Sequence, residues 1–449
     1  MTKTAFRSDF LRGLGSALIE LHSCTDPAKY YEIILYGCLN NTTYDMQCEG
    51  DRGRYLYQAA KLSGDEKAIE EAVRQKFLRT TNETWLLDQL TSILYHFAVD
   101  GNEDAGNALY QKYETMLLEL SRKHKFTQIC HKRDAFEVIC IWLTSLDGWS
   151  VFKKILNDIS EFLLTKNADF YFSDWFIANS EDKFGKKRVR QYLQKQSEKS
   201  PHVRAYYEKV QELDNRIWGE RPIPTLADVL EAAKNQYSAR GLGMQFARKA
   251  SPEDLEKLAN AAMNEPDAGI QVELLWAFRR DKKYVFPEEF LSKLRKSDNK
   301  QLRCLAYDII GQNPSDKTRK LARSLIQSGQ DIENGIFLLT KNLLLEDEKL
   351  LYDAVKSFRP RRNEGAWHGV YMCARDGVEA MRGKPHTDIL EYLYRNTLCG
   401  FCREYIVRAM HKKGVLTSEI LSGCGFDANV DIRTFAERVT RHYSKTTPK

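Results

Sequence analysis

The chain has 449 residues, of which 43% are hydrophobic and 29% charged, proportions of a folded protein rather than a disordered one. A formal charge of +6 is too small at this length to argue for nucleic acid by itself. No apolar run reaches the ~18 residues of a membrane span, and ten scattered cysteines, most on apolar helical faces, point to a reducing cytoplasm.

With only 11 Pro and 25 Gly, the composition predicts roughly two-thirds helix, about twice the usual share. The first stretch, Met1 to Asp9, is charged and lacks an apolar core, so no secretory signal is expected. Residues 9–24 and 27–39 form the first helix pair, with Asp26 as N-cap and Pro27 at the first helical position. The polar cluster Tyr44, Asp45, Gln47, Glu49 and Arg52 could bind a partner, but a hydrogen-bond network between neighbouring helical units is the plainer reading.

Gly64-Asp65 opens a helix with Ala68, Ile69, Ala72, Val73 and Phe77 on one face. Trp85 to Ala98 follows, with Leu86, Leu90, Ile93, Leu94 and Phe97 as its stripe. Gly101-Asn102 with Ala105 then repeats Gly64-Asp65 with Ala68 at an offset of 37 residues. Another pair is predicted over 133–146 and 149–164, then an aromatic-rich stretch from Asp169 to Ala178. Gly219 to Pro224 resists helix through its two prolines and is read as a linker or hinge. It separates an N-terminal helical region, 1–218, from a C-terminal repeat region, 225–449, unless the array is continuous.

Beyond it, Ser251-Pro252-Glu253-Asp254 and Asn313-Pro314-Ser315-Asp316 each read as cap followed by N1 proline. Asp267, Asp298 and Asp331 open apolar runs at spacings of 31 and 33 residues. A helix pair recurring at that period is the pattern of a stacked solenoid. Gln301-Leu302-Arg303-Cys304-Leu305-Ala306 and Asp431-Ile432-Arg433-Thr434-Phe435-Ala436 fall in register.

This element, polar–aliphatic–Arg–x–apolar–Ala, resembles HEAT-type repeats, loosely over residues 27–120 and better over 240–445. The resemblance implies an all-α fold, an α-α superhelix of about ten to thirteen stacked hairpins. It also implies that the Asp caps a helix, that the Arg links adjacent units, and that a concave surface binds a partner.

Three sets of residues are candidates for chemistry. Cys399-Gly400-Phe401-Cys402 with His411 and Cys424 could supply four zinc ligands, although packing of small apolar groups in a helix explains them more simply. Lys183, Lys186, Lys187, Arg188 and Arg190, helped by a loop with Arg359, Arg361 and Arg362, could contact phosphates or a partner; a solvated helix face is the plainer reading. Trp142, Trp149 and Trp175, with Asp147 and Asp174, could form a concave aromatic patch. That set is similar in composition to the one used by HEAT-like DNA glycosylases, without an ordered motif that would carry over a catalytic role. Core packing is the simpler account of the tryptophans.

No Walker loop, H-E-x-x-H or nucleophile elbow is present. The expected function is therefore a non-enzymatic, cofactor-free cytoplasmic scaffold that binds a protein along its concave surface, with no membrane contact. The alternative is a nucleic-acid-binding HEAT-like protein of the alkylation-repair glycosylase type.

Overall fold

A computed structural model describes residues 1–46, 49, 52–81, 83–120, 126–166, 175–218, 223–235, 239–279, 284–358 and 364–446. These residues form 26 α-helices and three short 3-10 segments, with no strand among them, so the fold is all-α. Among the described residues no helix is long and apolar enough to cross a membrane. The chain divides into two compact units. One comprises Met1–Gly219, Leu398–Glu404 and Thr417–Lys449; the other comprises Glu220–Thr397 and Tyr405–Leu416.

In the first unit alternate helices pack on one another. Arg52–Lys61 lies on Thr84–Val99, which lies on Phe126–Asp147, while Tyr31–Leu39 lies on Glu66–Arg79, which lies on Glu103–Leu120. The helix Thr84–Val99 is therefore covered on several sides. Its stripe of Leu86, Leu90, Ile93, Leu94 and Phe97 is buried, and so are Gln89, Thr91 and Ser92 beside it. The two Gly openings prove structurally alike. Gly64 and Gly101 adopt φ of +88° and +92°, a region costly for any residue with a Cβ. After each, a side-chain oxygen caps the helix: Asp65 accepts from Ala68 N–H at 3.1 Å and Asn102 from Ala105 N–H at 2.9 Å.

The residues from the far end of the chain close this unit. The Ala428 N–H donates to Gly13 O at 2.9 Å, and Phe6, Phe10, Tyr30 and Tyr55 belong to the same buried cluster as Ala428. The fully buried Arg403 holds Asp427 through two bonds of 2.8 Å, from Nε and Nη2, and Nη2 also reaches Gly13 O at 3.4 Å. Beside it, Arg52 donates to Thr42 Oγ1 at 2.9 Å and to Leu11 O, and lies 3.6 Å from Glu49. Glu49 in turn accepts the Gly400 N–H at 3.0 Å. Of the polar cluster around residues 44–52, Glu49 and Arg52 thus link helical segments, and Gln47 lies outside the described residues.

In the second unit the helices Ala268–Leu275, Lys300–Ile310, Ile332–Lys341 and Glu364–Ala380 begin 32 residues apart, and each packs on the next in the series. Between them run Glu288–Arg295, Asp316–Ser328 and Glu348–Ser357. The charged groups Arg319 and Arg323 meet Glu346 and the fully buried Asp347, tying one hairpin to the following one.

The caps differ in detail from the sequence expectations. Asp267 caps as expected, accepting from Gly269 and Ile270 N–H at 2.8 and 2.9 Å. At the next unit Asn299, not Asp298, is the N-cap, because the helix begins one residue later. Asp331 stands at the N-cap position but accepts from the Asn334 side chain at 3.0 Å. Ser315, not Asn313, caps the helix Asp316–Ser328, so Pro314 lies outside it. Asp26 precedes a 3-10 turn, Pro27–Tyr30, before the α-helix Tyr31–Leu39 begins.

The shared Arg element has a shared geometry. Asn299 Oδ1 accepts from Gln301 and Leu302 N–H at 2.9 and 3.3 Å, and Asn429 Oδ1 accepts from Asp431 and Ile432 N–H at 2.7 and 3.4 Å. Arg303 then donates to Ser297 O and Asp298 O at 2.6 and 3.0 Å, as Arg433 does to Asp427 O and Ala428 O at 2.6 and 2.9 Å. In both places the arginine pins the loop before its own helix. Asn299→Ala is expected to lower stability by about 1 kcal/mol in chemical denaturation, the usual worth of a cap.

Candidate functional site

A cleft of the first unit grows from how its early helices end. Gln89, on the buried helix Thr84–Val99, donates to Gly37 O, Cys38 O and Asn40 O at 3.0, 3.1 and 3.3 Å, holding the last carbonyls of the helix Tyr31–Leu39. Asn41 ties the following loop to the same helix Thr84–Val99, donating to Trp85 O at 3.1 Å while its Oδ1 accepts from Thr43 N–H at 3.0 Å. At the far side, Lys112 caps the end of the helix Glu66–Arg79, donating to Leu78 O at 2.9 Å and Thr80 O at 2.5 Å. Burial lowers the pKa of this ammonium.

Between these fixed ends opens a cleft of about 710 Å³. Its aromatic wall is Tyr36, Trp85 and Trp175, with Met46 beside them. Trp85 and Trp175 face each other with ring centroids 6.1 Å apart and planes inclined by 48°. Tyr36, Met46 and Trp175 keep 43%, 42% and 38% of their surface in solvent, unusually high for side chains of this size gathered in one place. The charged lining is Lys76, Glu83 and Asp134, two carboxylates against one ammonium. Arg133 pairs with Asp134, and the Arg7 guanidinium lies 4.9 Å over the Tyr36 ring. Such a lining offers the π faces of Trp85 and Trp175 beside the Glu83 carboxylate, which suits a cationic side chain.

Of the three tryptophans singled out in the sequence, Trp175 lines this cleft. Trp142 is elsewhere, its Nε1–H donating to Asp88 at 2.8 Å and its ring 4.9 Å from Tyr95. Trp149 stacks on Phe152 at 4.8 Å and meets Phe184 and Tyr192 edge-on. Asp147 receives the Tyr110 hydroxyl, and Asp174 lies outside the described residues.

The basic run is partly engaged at home. Lys183 donates to Ser145 O at 2.7 Å, Arg188 covers the Trp149 ring at 4.3 Å, and Arg190 pairs with Glu181. Lys186 and Lys187 are exposed. Arg359, Arg361 and Arg362 lie outside the described residues. Among the zinc candidates, Cys399, Cys402 and Cys424 are buried in the first unit, whereas the exposed His411 belongs to the second.

The second unit has its own cavity of about 310 Å³, mostly apolar, with Phe286, Leu291, Ile309 and Leu321 in its wall. Sequence reasoning did not single out Tyr36, Lys76, Glu83, Trp85 or Asp134. The available signal was Trp85, which falls at the start of its helix and outside the Leu86–Leu90–Ile93–Leu94–Phe97 stripe, where a tryptophan has no core to fill. Compared with known protein families and with curated proteins, the chain matches none of them.

Proposed function

We propose that the protein is a non-enzymatic helical-repeat scaffold of the HEAT type, acting in the cytoplasm, that binds a protein partner through an exposed Lys- or Arg-bearing segment. The observation that carries this reading is the cleft of Tyr36, Trp85 and Trp175 with Glu83 and Asp134 at its rim. Aromatic faces attract a cation through their quadrupole by about 0.5–2 kcal/mol each, and nearby carboxylates add to that attraction. The 32-residue recurrence of packed helices and the shared Asn–Arg caps support the repeat reading.

The test is a peptide array probed with the full-length protein, followed by titration of the tightest peptides. Peptides with a central Lys or Arg are expected to bind, and Trp175→Ala to weaken them about tenfold, the equivalent of ~1.4 kcal/mol. Glu83→Lys should weaken the same peptides and leave acidic ones unaffected. Binding unchanged by Trp175→Ala, or recovery of nucleic acid in place of peptide, would overturn the proposal.

A further inference from the structure

Position 399 holds, in its own helical unit, the place that Asn299 and Asn429 hold in theirs, and Arg403 stands four residues on, as Arg303 and Arg433 do. At the other two positions the asparagine oxygen takes the first N–H groups of the helix. At 399 a sulfur does so: the Cys402 N–H donates to Cys399 Sγ at 3.4 Å. The Cys402 sulfur lies within 4.8 Å of the same sulfur. An oxygen would serve the cap as well. The cap therefore explains neither the sulfur at 399 nor the second one beside it in the same turn.

We propose that Cys399 and Cys402 form a reversible dithiol–disulfide pair that exchanges with low-molecular-weight disulfides and thereby controls the first turn of the helix Gly400–Lys412. A residue at an N-cap is outside the helical φ/ψ region, so its side chain folds back over the third residue of the helix. This fold-back is what brings the sulfurs together. The reaction has two steps. The Cys399 thiolate attacks one sulfur of the external disulfide, forming a mixed disulfide and expelling the first thiolate, which takes up a proton. Cys402 gives its proton to solvent and attacks the Cys399 sulfur, expelling the second. Two cysteine thiols are oxidised, and one external disulfide is reduced to two thiols.

Cys399 is suited to attack first. Donation from the Cys402 thiol lowers its pKa against the opposing effect of burial, and the Cys402 backbone adds to the lowering. Two fully buried cysteines of this unit differ from it: burial pushes Cys38 up to about 12 and Cys140 well above the ordinary thiol value. Cys399 and Cys402 are 1% and 5% exposed, so exchange requires the first turn to open. Terminal turns hold the fewest intrahelical bonds and open at the lowest cost. The same turn carries Arg403, bound to Asp427 and Gly13 O. A disulfide withdraws the sulfur from the Cys402 N–H and moves that turn. Oxidation is thus coupled to how firmly residues 417–446 hold to the N-terminal helices within the first unit.

The test equilibrates full-length protein in graded mixtures of reduced and oxidised glutathione, starting from both the reduced and the oxidised protein. Samples are quenched in acid, unfolded, alkylated and digested for mass spectrometry. The expected result is one midpoint from both directions, at which the peptide with Cys399 and Cys402 becomes lighter by two hydrogens and refuses alkylation, while Cys38 and Cys140 remain alkylated. Cys402→Ser should retain glutathione on Cys399. Cys399→Ser, which keeps an oxygen cap, should fold as the parent does and show neither product. Amide exchange over 417–446 should quicken several-fold on oxidation. Two alkylated thiols at every ratio from both directions would overturn the proposal. So would a stable glutathione adduct on the unaltered protein, or stoichiometric zinc on the pair as purified.

Discussion

Asp427→Ala is expected to destabilise the first unit by about 3–5 kcal/mol, the usual cost of removing one partner of a buried ion pair. The Asp427 carboxylate is fully buried and accepts three bonds: two from Arg403 at 2.8 Å and one from the Asn429 N–H at 2.9 Å. Its loss removes the carboxylate that takes two bonds from the fully buried Arg403 guanidinium. A domain holds about 5–15 kcal/mol in total, so urea unfolding should show an early transition for this unit. Because the pair is shielded from solvent, the loss should persist at ~1 M salt, where exposed pairs are screened within about 3 Å. Replacing both partners, Arg403→Met with Asp427→Leu, should recover most of the loss, since an apolar pair of similar volume carries no desolvation cost. A loss below about 1 kcal/mol for Asp427→Ala would show that the pair does not hold the unit together.

Gly15→Ala is expected to cost about 3 kcal/mol, the upper end for overpacking, by pushing the same region apart from the other side. A Cβ on Gly15 would stand 1.9 Å from Gly423 O, 2.8 Å from Phe426 C and 2.9 Å from Asp427 N. All three are backbone atoms, so no side chain can rotate away to make room. Gly101→Ala is the matched control. Its Cβ would meet nothing within 4 Å, and only the φ of +92° penalises it, by about 1–2 kcal/mol. Hydrogen exchange and limited proteolysis separate the two effects. Gly15→Ala should loosen residues 417–446 relative to the rest of the unit, whereas Gly101→Ala should leave that segment as protected as in the parent.

Both substitutions bear on the pairing of the chain's two ends in one unit, which the sequence does not announce. Asp427 looks like one more helix-opening acid beside Asp267 and Asp331, and Arg403 like one more repeat arginine beside Arg303 and Arg433. In Arg303 and Arg433 the guanidinium pins its own loop; in Arg403 it reaches residues 24 and 390 positions away. Nothing in the local pattern distinguishes the two behaviours. The cleft is similar. Trp175 stood out as an aromatic candidate, but its counterpart Trp85 lies at the start of an ordinary-looking helix, 90 positions earlier. The expected companions Trp142 and Trp149 are drawn instead into contacts with Asp88, Tyr95 and Phe152.

The helical class and the spacing of its units could be read from the sequence, because both depend on interactions a few residues long. A 3.6-residue apolar stripe makes a helix wherever it is placed. The caps at Asp65, Asn102, Ser251 and Asp267 bind N–H groups two or three positions ahead. Even where the reading slipped, from Asn299 to Asp298 or from Ser315 to Asn313, the error was one or two residues between neighbouring polar candidates. The tertiary structure alone decided the rest. It chose which tryptophans share a cleft, which arginine is buried against Asp427, and that Cys399 caps with sulfur in contact with Cys402. Those outcomes depend on packing between segments far apart in the chain, where a given residue type has many partners available and burial selects among them.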